Sequence, residues 1–212
     1  MNKKKTLGVI GAGHLGLQIA HHALHDNHFD EVVFFDDYIT SDSVSDYKVL
    51  GNSDDIISSY NKGLFSKLLI GVGYKNMIKR DALFCRFKDD IPFATLIHST
   101  CFIDHTSNID SGTIIYPGST IDANVKIGNN VLINIDCTIS HDSVIDSHSF
   151  LSPKVAVAGF VNIGKSNVIG INSTIIDNLS IANNTTIGAG TVVIETIEKS
   201  GLYVGNPHRL VR

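Results

Sequence analysis

The sequence has 212 residues, 43% of them hydrophobic, and a formal net charge of −4 at pH 7. This composition supports a folded core in one large domain or two small ones. The charge provides no broad basic surface of the kind that nucleic-acid binding requires, so we expect a globular protein without a nucleic-acid partner.

The N-terminal segment and the cysteines indicate in which cellular compartment the protein is expected. Met1–Lys5 is basic, but the apolar stretch after it is short, interrupted by glycine and followed by histidines, which is typical of a strand and not of a signal peptide. No run of about 18 apolar residues is present to span a bilayer. Cys85, Cys101 and Cys137 lack CxxC spacing, and their odd number argues against a disulfide framework. We expect a cytoplasmic protein with reduced thiols and no membrane insertion.

Residues 1–95 alternate between strand and helix patterns. Hydrophobic runs predict strands over 7–10, 32–35 and 68–70, and amphipathic stretches predict helices over 14–24 and 76–87. Such alternation is typical of a small parallel sheet with flanking helices. We therefore expect an N-terminal half-Rossmann-like α/β domain.

The turn after the first predicted strand carries a glycine motif. It reads Gly11-Ala-Gly13-His-Leu-Gly16, and Asp36 follows about 20 residues later, as in dinucleotide-binding folds. An NAD site needs two mononucleotide-binding halves, however, and only about one fits before residue 97. A half-fold still holds one nucleotide diphosphate, because its glycines let backbone amides approach phosphate. The alternative is that the glycines only pack a helix on a strand.

A six-residue period dominates the rest of the chain. Every sixth residue from Ile97 to Val193 is aliphatic, for seventeen consecutive positions. The chance of this run in one chosen register is on the order of one in a million, so the period marks a repeat architecture. Short strands joined by tight corners fit it, and three of them close a coil of about 18 residues. We predict a parallel β-helix over 96–212 with a C-terminal tail, with the aliphatic residues inward and the Asp, Asn and Gly residues directly after them in the turns.

Several segments together resemble one known family. They are the glycine turn at 11–16, the pair at 36–37, and segments 70–73, 139–145, 158–164, 168–173 and 201–207. On these motifs the chain resembles the sugar O- and N-acyltransferases with hexapeptide repeats, which include bacterial enzymes that acetylate UDP-4-amino-4,6-dideoxy sugars and sialic acid O-acetyltransferases. The resemblance implies a left-handed β-helix, a homotrimer, acetyl-CoA as co-substrate and a nucleotide-linked amino sugar as partner.

The resemblance also implies site residues. The family's catalytic pair falls on His141 and Asp142. The nucleotide-sugar candidates lie in the N-terminal domain, and they are Gly11, Gly13, His14, Asp36, Asp37 and Gly73. The implied function is N-acetylation of the C4 amine of a UDP-linked 4-amino-4,6-dideoxy sugar. The alternatives are a dTDP- or GDP-linked amino sugar or a sialic acid hydroxyl as acceptor and, in other classes, an NAD-dependent oxidoreductase or a non-catalytic nucleotide-binding scaffold.

The residues themselves suit acetyl transfer, which needs a base, a thioester and donors for the oxyanion. Histidine provides a neutral base near pH 7, and an adjacent aspartate orients its ring. Gly159 lies one coil of 18 residues after His141, so its N–H is a candidate oxyanion donor. Asn134 is a candidate for contacting the sugar; the alternative is that it is only a turn asparagine at a corner. The residues expected along the pantetheine arm are Gly159, Gly170, Ile171, Gly188 and Ala189.

Histidines also suggest metal sites, which we weigh against solvated surface histidines. His21 and His25 are four apart on a predicted helix but lack the glutamate of the known zinc motif. A γ-type carbonic anhydrase also uses a hexapeptide β-helix, but its third histidine would fall at Asp146 when His105 and His141 are the other two. We therefore predict that the protein binds no metal. For His141 itself, the alternative to a catalytic role is a solvated histidine at a corner.

Overall fold

The computed structural model describes residues 4–212. The chain divides into two compact units, of which the first ends at Leu96 and the second covers Ile97–Arg212. Residues 1–3 of the basic N-terminal segment lie outside the described residues. Among residues 4–212, no helix combines the length and apolarity that a membrane crossing requires.

The first unit is an α/β domain. Its elements are β1 (Thr6–Ile10), α1 (His14–His25), β2 (Glu31–Phe35), β3 (Ser43–Val44), β4 (Tyr47–Val49), α2 (Ile56–Asn61), β5 (Lys67–Ile70) and α3 (Met77–Phe87), with single 3-10 turns at Ser53–Asp55 and Tyr74–Asn76. The three predicted strands and two predicted helices are present. β3, β4 and α2 were not predicted, because two- or three-residue strands and a six-residue helix are too short to show a hydrophobic period.

The sheet of this unit brings three loops to one edge. Its strand order is β3-β4-β2-β1-β5, and β1 pairs in parallel with both β2 and β5. After their first residues, Thr6 and Glu31, the two central strands carry only apolar residues and glycine and are buried, as expected for a parallel sheet covered on both faces. Because the three strands run in the same direction, the segments after Ile10, Phe35 and Ile70 emerge together, which is where open α/β sheets bind ligands.

The second unit is the predicted parallel β-helix. Its strands are β6 (Leu96–Ile97), β7 (Phe102–Ile103), β8 (Asn108–Ile109), β9 (Ile114–Ile115), β10 (Thr120–Ile121), β11 (Lys126–Ile127), β12 (Leu132–Ile133), β13 (Thr138–Ile139), β14 (Val144–Ile145), β15 (Phe150–Leu151), β16 (Ala156–Val157), β17 (Asn162–Ile163), β18 (Val168–Ile169), β19 (Thr174–Ile175), β20 (Ser180–Ile181), β21 (Thr186–Ile187), β22 (Val192–Val193), β23 (Leu202–Val204) and β24 (Arg209–Leu210).

Every third strand stacks to form one of three faces. The first face contains β6, β9, β12, β15, β18 and β21, followed by β23 and β24 of the C-terminal tail. The second contains β7, β10, β13, β16, β19 and β22, and the third contains β8, β11, β14, β17 and β20. Parallel pairing joins residues 18 apart, as Ile121 with Ile139 and Ile139 with Val157.

The core of the β-helix is the predicted aliphatic column. From Ile115 to Val193 its members are buried, and Ile97, Ile103 and Ile109 pack partly buried against them. Small residues two places before the column are buried too, and their hydroxyls tie successive coils together. Ser143, for example, donates its hydroxyl to the Ala158 carbonyl (2.9 Å) and accepts the Val161 N–H (3.1 Å).

The turn residue is not the one that the sequence suggested. The residue directly after each column position keeps the ladder, as Ser140 does by donating its N–H to the Val157 carbonyl. The left-handed backbone conformation falls two places later, at Asn124 (φ 59°), Asp142 (φ 57°) and Phe160 (φ 56°). The expectation that Asp, Asn and Gly directly after the aliphatic residue form the turn was therefore wrong, because the ladder bond holds that position extended.

Candidate functional site

His141 lies at the corner between the second and third faces. β13 ends at Ile139 on the second face, and β14 begins at Val144 on the third. The two-residue turn His141-Asp142 joins them, with Asp142 in the left-handed conformation. The corner thus presents both side chains outward, where half of the His141 side chain (49%) and a third of the Asp142 side chain (37%) are exposed.

Two contacts define the orientation of the His141 ring. Its Nδ1 lies 3.0 Å from Oδ2 of Asp142. The Phe160 ring meets it edge-on, with centroids 5.2 Å apart and planes at 86°. Since an ionised carboxylate only accepts hydrogen bonds, the neutral imidazole carries its proton on Nδ1 and its lone pair on Nε2. Within residues 4–212 no hydrogen bond engages Nε2, so this nitrogen is available as a base.

Gly159 lies directly against that ring. A Cβ built on Gly159 would stand 2.7 Å from Cε1 and 2.9 Å from Nε2 of His141. Any side chain here would displace the imidazole. The 18-residue spacing therefore identified a real neighbour, and glycine is the residue that this close approach requires.

The Gly159 N–H takes no part in the hydrogen-bond ladder within residues 4–212. Equivalent corner amides donate to the side chain of the preceding residue, as Ala123 does to Oδ1 of Asp122 (2.8 Å) and Ser147 to Oδ1 of Asp146 (2.6 Å). Gly159 follows Ala158, which has no side-chain acceptor. Within the described part of the chain its N–H has no acceptor, so it can donate to an added ligand.

A groove on the second face lies beside this corner. Its volume is about 320 Å³. The residues that line it are mostly small, and they are Thr138, Ser140, Ala156, Val157, Ala158, Thr174, Ile175, Ile176 and Asp177. The lining includes Ser140 and Ala158, which directly precede His141 and Gly159, so the groove lies beside this corner.

The other predicted cofactor residues lie across the second face from His141. Gly170, Ile171, Gly188 and Ala189 stack at the corner between the first and second faces. A Cβ on Gly170 would stand 2.6 Å from the Ala189 nitrogen, and one on Gly188 would stand 2.7 Å from Val204 Cγ1. These glycines thus serve the packing of the next coil, and the structure does not bring them into contact with His141.

Asn134 also lies on that opposite border. Its Oδ1 accepts the N–H of Ile135 at 2.8 Å, and its own N–H donates to the Leu151 carbonyl. This is the behaviour of a corner asparagine. Within one chain the structure keeps Asn134 apart from His141, because β13 and the width of the second face separate them.

The glycine turn of the first unit is built as the motif predicts. Gly11 has φ 97° and donates its N–H to the Phe35 carbonyl at 2.7 Å. Gly16 packs against the Gly11 carbonyl so closely that a Cβ would not fit. Asp36 accepts the Ala12 N–H at 2.8 Å through Oδ2. The carboxylate that a dehydrogenase offers to ribose is therefore already engaged in holding this turn.

A pocket of about 100 Å³ opens at the same edge of the sheet. Its lining comprises Ile10, Gly11, Phe35, Asp36, Asp37, Tyr38, Val72, Asn76, Lys79 and Leu83. Three predicted residues, Gly11, Asp36 and Asp37, are among them. Gly13 and His14 are exposed at the start of α1, and Gly73 precedes the 3-10 turn Tyr74–Asn76. These three line the approach to α1 and α3, not the pocket itself.

Asp37 is held by two partners at the pocket. Its carboxylate accepts the Ser53 N–H at 2.8 Å and lies 3.1 Å from Nζ of Lys79. Partial burial works to raise the pKa of Asp37, but the hydrogen bonds from Ser53 and the charge of Lys79 outweigh it and lower the pKa below 3.8. Sequence reasoning missed Asn76 and Lys79; their only signal was a polar residue and a cation at the start of a helix that follows β5.

The histidines weighed as metal ligands are not brought together. His105 occupies the corner of His141 two coils earlier, which places them roughly 10 Å apart at the usual strand spacing. Asp146 lies beyond the third face and accepts the Ser147 N–H. His21 and His25 stack on the surface of α1 with ring centroids 4.0 Å apart.

Comparison with known proteins gives a family match within the first unit. Residues 6–87 match the model of the PglD N-terminal domain family. No curated protein sequence matches the chain at a significant level.

Solved structures match the chain over nearly its whole length. The acetyltransferase domain of PglB from Neisseria gonorrhoeae is 26% identical, with a TM-score of 0.89, and the match covers 98% of this chain and all of that one. Its complex with acetyl coenzyme A matches at 25% identity and a TM-score of 0.91, over 99% of this chain and all of that one. PerB from Caulobacter crescentus, solved with CoA and GDP-perosamine, is 21% identical, with a TM-score of 0.88 over 98% of this chain and 97% of that one. The predicted α/β domain followed by a left-handed β-helix is thereby confirmed.

Proposed function

We propose that this chain is a hexapeptide-repeat sugar acyltransferase. It transfers an acetyl group from acetyl-CoA to the amine of a nucleotide-linked sugar. The similarity to the PglB acetyltransferase domain, which binds acetyl coenzyme A, extends over both units. The observation that carries the proposal is the contact at one corner between the His141 ring and Gly159. Among residues 4–212 neither His141 Nε2 nor the Gly159 N–H has a hydrogen-bond partner, and a groove on the second face lies beside them.

Each group at that corner has a role in the transfer. We assign the pantetheine arm to the second face, between the groove beside Gly159 and the opposite corner that carries Gly170, Ile171, Gly188 and Ala189. The thioester oxygen accepts the Gly159 N–H, which stabilises the negative charge that develops on it. The acceptor nitrogen gives a proton to His141 Nε2 as its bond to the acyl carbon forms. When the C–S bond breaks, the imidazolium returns that proton to the CoA thiolate.

Asp142 acts on the ring and not on the substrate. Its carboxylate fixes the Nδ1–H tautomer and stabilises the imidazolium while the proton is held. Phe160 limits rotation of the ring from the other side. The pair therefore presents Nε2 in a constant position, which an acyl transfer between two bound substrates requires.

The nucleotide belongs to the first unit. The pocket between the ends of β1, β2 and β5 accepts the base, with Asp36 and Asp37 at its rim. The exposed start of α1, at Gly13 and His14, offers N–H groups and the positive end of a helix dipole to the diphosphate. Gly73, after β5, leaves the same edge open. The pocket at this edge holds about 100 Å³, which suits one base and not a whole dinucleotide.

For the acceptor we propose the C4 amine of a UDP-linked 4-amino-4,6-dideoxy sugar. The support is the resemblance of the glycine turn, Asp36-Asp37 and His141-Asp142 to motifs of enzymes that acetylate such sugars. We also assign to Asn134 a contact with the sugar. GDP-perosamine, which PerB binds, is the main competing acceptor, and dTDP-amino sugars and sialic acid hydroxyls are the others.

The assembly proposed is a homotrimer. Outside the groove, the exposed isoleucines Ile171 and Ile194 lie along the second face or its borders, and an apolar surface of this kind favours burial against another copy. Light scattering measures the mass: three times 23.0 kDa is expected, and a monomer would contradict the assignment. Because both proposed substrates are cytoplasmic metabolites, the reaction is assigned to the cytoplasm.

The acceptor is tested by measuring thiol release from acetyl-CoA with a panel of amino sugars linked to UDP, dTDP or GDP, and with sialic acid. We expect the highest kcat/KM with the UDP-4-amino-4,6-dideoxy sugar and a mass gain of one acetyl group in the product. A preference for GDP-perosamine would replace the acceptor but keep the reaction. Absence of thiol release with every acceptor would overturn the proposed function.

A further inference from the structure

The two carboxylate oxygens of Asp142 have different partners. Oδ2 faces Nδ1 of His141 at 3.0 Å. Oδ1 accepts a hydrogen bond from the side-chain amide of Asn124, whose Nδ2 lies 3.1 Å away. The carboxylate is thus held at both oxygens, and only one of the two contacts involves the proposed base.

Asn124 occupies the same corner one coil earlier. It is 18 residues before Asp142, and both have the left-handed turn conformation, with φ of 59° and 57°. Its backbone N–H donates to Oγ1 of Thr106 at 2.8 Å, and that hydroxyl donates to Oδ1 of Asp104 at 2.6 Å. Asn124 is therefore anchored from the coil before it, and its amide is aimed at the coil after it.

A turn asparagine need not make such a contact. Asparagine is common in the left-handed conformation for its backbone preference alone. Asn178, at the same corner two coils after Asp142, donates its amide to Asp177 beside it (2.6 Å). Asn184 has the same conformation (φ 56°) at a different corner. The direction of the Asn124 amide toward Asp142 is thus a separate observation from its place in a turn.

We propose that Asn124 is a positioning residue that acts through Asp142 on His141. Its amide fixes the plane of the carboxylate so that Oδ2 meets the Nδ1–H, which keeps the lone pair of Nε2 toward the substrate. Because the amide is neutral, it orients the carboxylate without neutralising it, and the full charge of Asp142 remains to stabilise the imidazolium. This inference rests on the proposed function of His141.

The charged groups at this corner determine how the variants respond to pH. In the neighbouring coils the residues stacked with His141 are Ala123 and Gly159, which are uncharged. Asp122 lies one coil earlier, His105 and Asp104 two coils earlier, and Asp177 two coils later. Asp142 is therefore the anion in direct contact with the ring, and a change beside it has the largest effect on protonation of His141.

Two substitutions of Asn124 test the inference in opposite directions. Asn124→Gly keeps the turn, because glycine accepts positive φ, but removes the amide. We expect kcat to fall about tenfold, with KM for acetyl-CoA within about twofold of the wild-type value, and the acid limb of the pH–rate profile to move to lower pH, since a loosened carboxylate stabilises the imidazolium less. Asn124→Asp adds a second anion, so the acid limb moves to higher pH.

The control is Asn184→Gly, which makes the same change in the same conformation at another corner. It is expected to keep the wild-type kcat and pH profile. A wild-type profile in both Asn124 variants, or an equal loss in Asn184→Gly, would overturn the inference. If His141→Ala is inactive and Asn124→Gly is unchanged, only the positioning role fails; if His141→Ala is fully active, the proposed function fails first.

Discussion

The imidazole of His141 covers Gly159 so closely that a methyl group on Gly159 would lie 2.7 Å from Cε1 of the ring. The two residues are one coil apart, and the register of β13 and β16 brings them together. The imidazole and Gly159 therefore form one packed pair, to which we assign the base and the oxyanion donor.

Gly159→Ala tests the contact between the His141 ring and Gly159. The alanine methyl group displaces the ring and alters the approach to the N–H, so we expect kcat to fall by about 100-fold, in the range seen when one oxyanion donor is lost. Steady-state kinetics measure the effect, and circular dichroism checks that the β-helix is retained. A kcat within about twofold of the wild-type value would show that the ring and the N–H do not act together.

Asp142→Asn tests the orientation of the ring. Asparagine accepts the left-handed conformation of this turn, so the corner is expected to persist. The amide cannot stabilise the imidazolium as a carboxylate does, and it favours the wrong tautomer when its NH2 group faces Nδ1. We expect kcat to fall by at least about 100-fold with little change in the melting temperature. An unchanged kcat would remove Asp142 from the mechanism.

Ile163→Ala and Asn162→Ala, in the same strand β17, test the inward column. Ile163 is 1% exposed, and its truncation leaves a cavity that is expected to cost about 2–5 kcal/mol of unfolding free energy. Asn162 points outward and is exposed, so its truncation is expected to change stability by less than about 0.5 kcal/mol. Urea denaturation measures both, and equal losses would contradict the assigned register.

Asp37→Asn tests the ion pair at the pocket of the first unit, to which we assign the nucleotide. Because the folded-state pKa of Asp37 lies below its unfolded value of 3.8, the ionised group stabilises the fold above about pH 4, and this contribution is lost as pH falls through the lowered pKa. The variant is therefore expected to be less stable than wild type at pH 7, and the difference should vanish in strongly acidic buffer. Melting curves across that range decide it, and a difference that persists in acid would have another origin.

Much of the fold could be predicted from the sequence because the β-helix is a local repeat. The six-residue period identified the inward residues from Ile97 to Val193, and the 18-residue coil pointed from His141 to Gly159. The family motif contributed the left-handed winding and the pair with Asp142. These features depend on spacing along the chain, which a sequence displays directly.

The rest depends on contacts that spacing does not encode. Asp, Asn and Gly occur at both the first and the third place after the column, so composition did not reveal which one adopts positive φ. The contact of Asn124 with Asp142 depends on one side-chain rotamer. Lys79 reaches Asp37 from 42 residues away, through the packing of α3 on the sheet. Such partners emerge only when the chain is folded.

The most direct measurement of the central claim compares acetyl transfer by the wild-type protein, His141→Ala and His105→Ala. His105 is a matched control, because it is a histidine at the same corner two coils earlier and its side chain is 91% exposed. With acetyl-CoA and the UDP-4-amino-4,6-dideoxy sugar, we expect thiol release by wild type and His105→Ala at equal rates, and a rate at least about 1,000-fold lower in His141→Ala. Undiminished release by His141→Ala would contradict the account.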